Sequence, residues 1–225
     1  MAERSKSRAH RNPLKVLYSR LIAREFLKCY YHSRPKIWNN TYWMGVPVGK
    51  CPFDLWIYQE ILYETQPDII IESGTGLGGS TLYLASCCDV IGKGSIITID
   101  IDNRLNCPKH KRIRQIVGSS VSPRILDEVK RDISSDDAVL VSLGSDHSKE
   151  HVLSEMRAYG AMVTSGSYMI VEDGIAGGHP VKKNHYPGPM EAIEEYLAED
   201  PTFTIDMKRE KFMMTFNPKG YLREA

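Results

Sequence analysis

Apolar and polar positions follow two different periods along this chain, and the switches between them outline its organisation. Leu14, Val16, Leu17, Leu21, Ile22, Phe26 and Leu27 recur at helical spacing behind Pro13, which predicts a helix through Tyr31. Leu55, Tyr58, Ile61 and Leu62 share one face of a second helix at 52–64, ended by Gln66 and Pro67. Short β-branched runs then alternate with helical stretches: strands at 68–72, 95–100, 137–143 and 166–172, and helices at 79–90, 122–132, 149–159 and 190–197. Ile69, Ile70 and Ile71 are uninterrupted, the pattern of a strand covered on both faces. Regular strand–helix alternation predicts an α/β fold with a mostly parallel, doubly wound sheet that binds ligands at the strands' carboxyl ends. The tail breaks the alternation. FTIDMKRE (203–210) and KFMMTFNP (211–218) read as two adjacent strands around a tight charged turn, an antiparallel hairpin closing the sheet.

The size and composition fit one such domain behind an extension. With 225 residues, 42% of them hydrophobic, the chain can bury a full core. The division expected is a basic arm and helix at 1–37, then the ligand-binding domain at 38–225. A net charge of +1 gives no electrostatic case for nucleic acid or a membrane surface. Charge is uneven, though: the first 28 residues hold eight Lys and Arg against Glu3 and Glu25, either a basic arm or a solvated helix face. No apolar run has membrane-spanning length and no secretory core is evident, so a cytoplasmic protein is expected. The five cysteines lack zinc spacing and read as reduced, structural thiols.

The chemistry starts where the triple-isoleucine strand ends. Glu72 is followed by Gly74, Gly76, Gly78 and Gly79, and Ser80 resumes a helix: strand, glycine turn and helix form a ligand cradle. GTGLGG also fits the dinucleotide pattern G-x-G-x-x-G, a weak signal alone. An acid two positions before alternating glycines resembles the signature of class I S-adenosylmethionine-dependent methyltransferases. In that reading the turn passes beneath the cofactor's methionine part and Glu72 meets its amino group. Asp100 ends the next strand, where a carboxylate can hold both ribose hydroxyls. Ser119 and Ser120 follow a short apolar run and either face adenine or cap the next helix.

Two more polar clusters fall at strand ends: GSDHSK (144–149) and VEDG (171–174). Asp146, Glu172 and Asp173 brought to one rim would repel unless a cation stood among them, and hard oxygen ligands there suit Mg2+, or Ca2+ at looser geometry. The alternative is that Asp146 caps a helix and the other two are solvated.

Longer phrases carry a more specific resemblance. GVPVGKCPFDLWIYQEI, DHSKEHVLSEMRAYGAMVTSGSYMIVED, GHPV, PGPMEAIEEYL and KFMMTFNPKGYL are similar to the cephalosporin hydroxylase and rhamnosyl O-methyltransferase family from about residue 38 onward. That resemblance implies a Rossmann-like class I methyltransferase fold, S-adenosylmethionine as cofactor and a divalent metal held by Asp146, Glu172 and Asp173. The D-H-x-K phrase of catechol O-methyltransferase, more distantly similar, is matched at Asp146, His147 and Lys149, and its lysine acts there as general base. The family usually reads L-D-S before the D-H or N-H pair, whereas here Leu143, Gly144 and Ser145 stand, so Asp146 is the expected ligand.

The expected reaction is methyl transfer to a hydroxyl of a small natural product or sugar. Lys149 or His147 would take the proton, and Asp146 would also border the cofactor. The glycine- and proline-rich stretch 174–189 is the expected substrate lid, with His179, His185 and Tyr186 as contacts. The 38–50 loop would pass over the cofactor, and the N-terminal helix makes a homo-oligomer the expected assembly. Two other classes compete: an accessory protein keeping the cofactor fold, and an NAD-dependent oxidoreductase, which the closing hairpin disfavours.

Overall fold

The computed structural model describes residues 13–102 and 107–225. The basic stretch before Pro13 lies outside them. The elements run α1 (Pro13–His32), β1 (Tyr42–Trp43), β2 (Val46–Pro47), α2 (Pro52–Thr65), β3 (Ile69–Ser73), α3 (Gly79–Ile91), β4 (Ser95–Asp100), β5 (Ile113–Val117), α4 (Pro123–Arg131), β6 (Val139–Leu143), α5 (Lys149–Tyr159), β7 (Tyr168–Val171), α6 (Pro189–Glu199), β8 (Phe203–Ile205) and β9 (Tyr221–Glu224).

Seven strands form the main sheet in the order β5-β4-β3-β6-β7-β9-β8. β3 is central and parallel to both neighbours, Ile69 standing beside Ser95 and Val139. Its apolar run is explained by two cores. Ile70 points into one with Ile61, Leu84 and Ile96, and Ile71 into the other with Val141, Met156 and Ile193. Both isoleucines have no exposed surface. This is the mostly parallel, Rossmann-like sheet that the alternation predicts, with β5 as a further strand ahead of the serines at 119–120.

Two expectations need correction, and the covering of α1, left open by its pattern, is seen. The closing antiparallel strands exist, but β9 lies at 221–224 rather than within 211–218, and it inserts between β7 and β8. Met213, at φ 63, interrupts the expected strand, since a left-handed residue breaks the extended ladder. The 42–47 part of the expected loop is a small antiparallel ribbon, β1 on β2. The α1 stripe is mostly not buried. Only Leu27 and Tyr31 are, in a cluster with Phe216, Ile175 and Val181, while Leu17, Tyr18, Leu21, Ile22 and Phe26 are exposed. Among the described residues, no helix is long and apolar enough to cross a membrane.

Candidate active site

The carboxyl ends of β3, β4, β5 and β6 surround a crevice of about 300 Å³ lined by Gly74, Gly76, Asp100, Ser119, Ser120 and Asp146. Six of the nine residues expected to hold the cofactor are therefore brought together. Asp100 is fixed by two backbone donors, Gly76 N–H to Oδ2 and Asp102 N–H to Oδ1, each at 3.0 Å. Its position at the strand end suits a ribose diol. Gly74 has φ 86, and a Cβ there would overlap the Gly144 carbonyl, so the β3 turn meets the β6 turn only because residue 74 carries no side chain. Gly118, next to the expected serines, also lines the crevice, and so do Ser145, His151, Ile99 and Ile101, which were not expected there. Ser145 neighbours Asp146, and His151 lies in the first turns of α5, so strand-end proximity was the available signal for both.

The other three expected cofactor contacts face elsewhere. Glu72 is buried, and its carboxylate accepts from Ser80 Oγ at 2.7 Å, Thr81 Oγ1 at 2.5 Å and Thr98 Oγ1 at 2.7 Å. Burial pushes its pKa up, against the charge of Lys50 and these three hydroxyls. Glu72 and Ser80 therefore lock the start of α3 onto β3 rather than line the crevice. Gly78 is the left-handed residue preceding α3.

A second, polar cavity of about 470 Å³ adjoins the first and shares Ser145 and Asp146 with it. His147, Ser148, Glu150, Asn184, His185, Tyr186 and Pro187 complete its lining. The 174–189 stretch thus contributes His185 and Tyr186 to this cavity. His179 does not join them: its Nε2 lies 2.7 Å from Glu191 Oε1, and it borders a separate cavity of about 970 Å³ between α1 and the C-terminal turns. That larger cavity holds none of the crevice residues.

The three expected metal ligands are only partly assembled. Asp146 and Asp173 stand near this rim. Asp146 Oδ1 accepts the Ser148 N–H at 2.7 Å, and hydrogen bonds from Ser148 hold its pKa below the ordinary value. Asp173, at φ 53, has Oδ2 3.2 Å from His147 Nε2, although that nitrogen has no aligned hydrogen-bond partner. Glu172 is turned inward. It pairs with Lys50 and accepts from Tyr58 Oη at 2.7 Å and Ser142 Oγ at 2.9 Å. Burial alone would raise its pKa, but Lys50 and these donors outweigh it and hold the carboxyl low. Among the described residues, no three metal-ligating side chains stand close enough to hold an ion in this conformation. Gly144 has a packing reason of its own: a Cβ there would overlap the Glu172 carboxylate.

Lys149 does not suit the role of base. Its Nζ lies 2.6 Å from Glu195, an ion pair that raises its pKa. His147 is the better-placed group, inside the polar cavity and beside Asp173.

Comparison with known proteins decides between the readings of this crevice. The sequence model of the rhamnosyl O-methyltransferase/CmcI family matches residues 35–225. The chain belongs to that family. The rhamnosyl O-methyltransferase of Mycobacterium tuberculosis (strain H37Rv) is 37% identical over 209 residues, covering 89% of this chain and 84% of the relative. That of Mycobacterium leprae is 38% identical over 208 residues, covering 89% and 90%. Among solved structures, ligand-free CmcI superposes with a TM-score of 0.65 at 20% identity, covering 83% of this chain and 77% of CmcI. CmcI with magnesium and S-adenosylmethionine gives 0.62 at 22% identity over the same shares. These two likenesses carry the fold. Family membership makes the chain an S-adenosylmethionine-dependent O-methyltransferase by class and sets aside the NAD-dependent reading.

Proposed function

We propose that the chain transfers a methyl group from S-adenosylmethionine, bound in the β3–β6 crevice, to a hydroxyl of a sugar or small natural product in the adjoining polar cavity. The observation that carries this is the shared wall: Ser145 and Asp146 border both cavities, so cofactor and acceptor would meet there. Asp100 would hold the ribose, while the Gly74–Gly76 backbone lies close beneath the ligand. The lining of the acceptor cavity suits a polyhydroxylated molecule. Asn184 and His185 offer hydrogen bonds, and Tyr186, 65% exposed, offers a ring face. His147, beside Asp173, is the group placed to take the acceptor's proton.

The bound cofactor would supply an electrophilic methyl group, and a magnesium ion would lower the acceptor's pKa. Asp146 and Asp173 offer hard oxygen ligands for such an ion, and Glu172 would join them only by exchanging Lys50 for the metal. We further infer that two copies associate through α1. The first 28 residues carry eight Lys and Arg and two acids, and since the whole chain is +1 the remainder is −5. A second copy's body is therefore complementary to the basic segment and can cover its exposed apolar side.

Isothermal titration with S-adenosylhomocysteine, with and without magnesium, tests the site, and a screen of hydroxylated acceptors with the methyl donor tests the reaction. Micromolar binding together with turnover that His147→Ala loses and Lys149→Ala keeps is the expected result. Binding without turnover on any acceptor would favour an accessory role, and no binding would overturn the crevice assignment.

A further inference from the structure

One wall of the polar cavity is a loop with few ties of its own. The first half of the stretch between β7 and α6 is anchored. Val181 is buried in one cluster with Ile175, and the Val181 and His179 N–H groups donate to the Ile175 carbonyl at 3.1 and 3.2 Å. The second half, 183–187, is exposed, and it is this half that gives Asn184, His185 and Tyr186 to the cavity. Its backbone makes two turn bonds, His185 N–H to the Lys182 carbonyl at 2.9 Å and Tyr186 N–H to the Lys183 carbonyl at 3.3 Å. From outside, among the described residues, only the Lys149 N–H reaches it, on the Pro187 carbonyl at 3.3 Å.

A single carboxylate joins the two ends of this loop. Glu191, in the first turn of α6, reaches back with Oε2 to accept the Gly188 N–H at 2.7 Å, and its Oε1 lies 2.7 Å from His179 Nε2. A carboxylate has no proton to give, so Nε2 carries the hydrogen of the second bond. The ends are in contact there: a Cβ on Gly177 would stand 3.5 Å from Gly188 N and 3.6 Å from Glu191 Oε2. Residues 179 and 188 are thereby fixed to each other, and 180–187 become a closed loop of set span. Half of this bridge has an ordinary duty, since a glutamate that accepts the N–H three residues before it steadies the start of a helix. The His179 bond lies outside that motif and joins the loop's entry to its exit. Neither His179 nor Glu191 lines the polar cavity or the crevice.

We propose that the His179–Glu191–Gly188 bridge is a positioning device for the acceptor: by fixing the span of 180–187 it holds Asn184, His185 and Tyr186 at the height where they meet the acceptor. His179 and Glu191 are positioning residues that act from outside the cavity. The inference rests on the polar cavity being the acceptor site. Wild type, His179→Ala and His179→Gln are compared for amide hydrogen exchange at 182–188, thermal melting, S-adenosylhomocysteine affinity, and KM and kcat on whichever of a panel of methyl glycosides wild type turns over fastest. His179→Ala leaves the helix-start bond of Glu191 intact, so melting and S-adenosylhomocysteine affinity should stay at wild-type values. Exchange at 182–188 and KM should each rise about fivefold or more with kcat within about twofold, as expected for one lost hydrogen bond to a charged partner that orders the acceptor wall. A glutamine amide N–H can take the place of Nε2, so His179→Gln should restore both quantities. Unchanged exchange in His179→Ala, a fall in kcat at constant KM, or a loss that glutamine does not restore would overturn the proposal. No turnover by wild type on any glycoside would instead fall on the acceptor reading, and is told apart by exchange that still rises in His179→Ala.

Discussion

Glu72 and Asp100 end neighbouring strands, yet packing gives them opposite work. Glu72 is enclosed and receives three hydroxyl hydrogen bonds, while Asp100 lines the crevice. Removing the Glu72 carboxylate would leave the Ser80 and Thr81 hydroxyls unpaired at about 1–3 kcal/mol each, while Thr98 keeps Thr75. Glu72→Ala is therefore expected to lower the melting temperature by several degrees, whereas Asp100→Ala should leave melting near wild type and cost at least about tenfold in S-adenosylhomocysteine affinity. Thermal melts and calorimetry on both variants would expose a swapped assignment.

Asp54 carries a pH signature. Burial lifts its carboxyl to about 6, against hydrogen bonds from Thr215 Oγ1, the Phe216 N–H and Tyr221 Oη. The folded chain thus keeps a proton that the unfolded chain gives up near pH 4. Stability falls as pH rises from about 4 to 6, by roughly 3 kcal/mol once the group is ionised in both states. Asp54→Asn removes that loss, so the variant should gain on wild type across this window. Melting curves that stay parallel from pH 4 to 7 would refute it. Such enclosures were not legible in the sequence: strand ends marked Glu72, Glu172 and Asp146 alike, but the partner that turns Glu172 inward, Lys50, lies 122 residues away.

At the scale of elements, the period of the pattern located most of the helices and the parallel strands, because each is covered by core on at least one face. It misplaced the last strand. Residues 211–218 alternate as a strand would, but they cross the ends of other elements instead: Thr215 and the Phe216 N–H bind Asp54, and Asn217 Oδ1 accepts the Asp173 N–H at 3.1 Å. A run of apolar and β-branched residues reads as a strand whether it pairs in a ladder or, as here, passes through turns and bends held by side chains. The true strand, β9, is short but bonded on both edges, to β7 and β8. Deleting 219–225 would leave β8 without its partner and remove the buried Tyr221 and Leu222. Loss of a single cooperative unfolding transition, followed by circular dichroism, is the expected outcome; a truncated chain that still melts cooperatively near the wild-type temperature would contradict it.

For the whole molecule, α1 is the feature that the sheet does not explain. Its pattern predicted a helix correctly but could not tell which body covers its apolar side, since the period is the same for any covering. Leu17→Glu combined with Leu21→Glu places two charges on that side, away from the buried Leu27 and Tyr31. Sedimentation should show the wild type as an oligomer and the double variant as a monomer with an unchanged melting transition; a wild type that sediments as a monomer would count against the pairing. The two cavities that meet at Ser145 and Asp146 draw most of their remaining walls from different places, strand ends on one side and, on the other, the 184–187 segment of the lid with His147, Ser148 and Glu150 at the start of α5. The consequence is evolutionary. On the function proposed above, descendants of this chain would change the acceptor they methylate largely by substitutions in the lid segment, while the half assigned to the methyl donor is inherited intact.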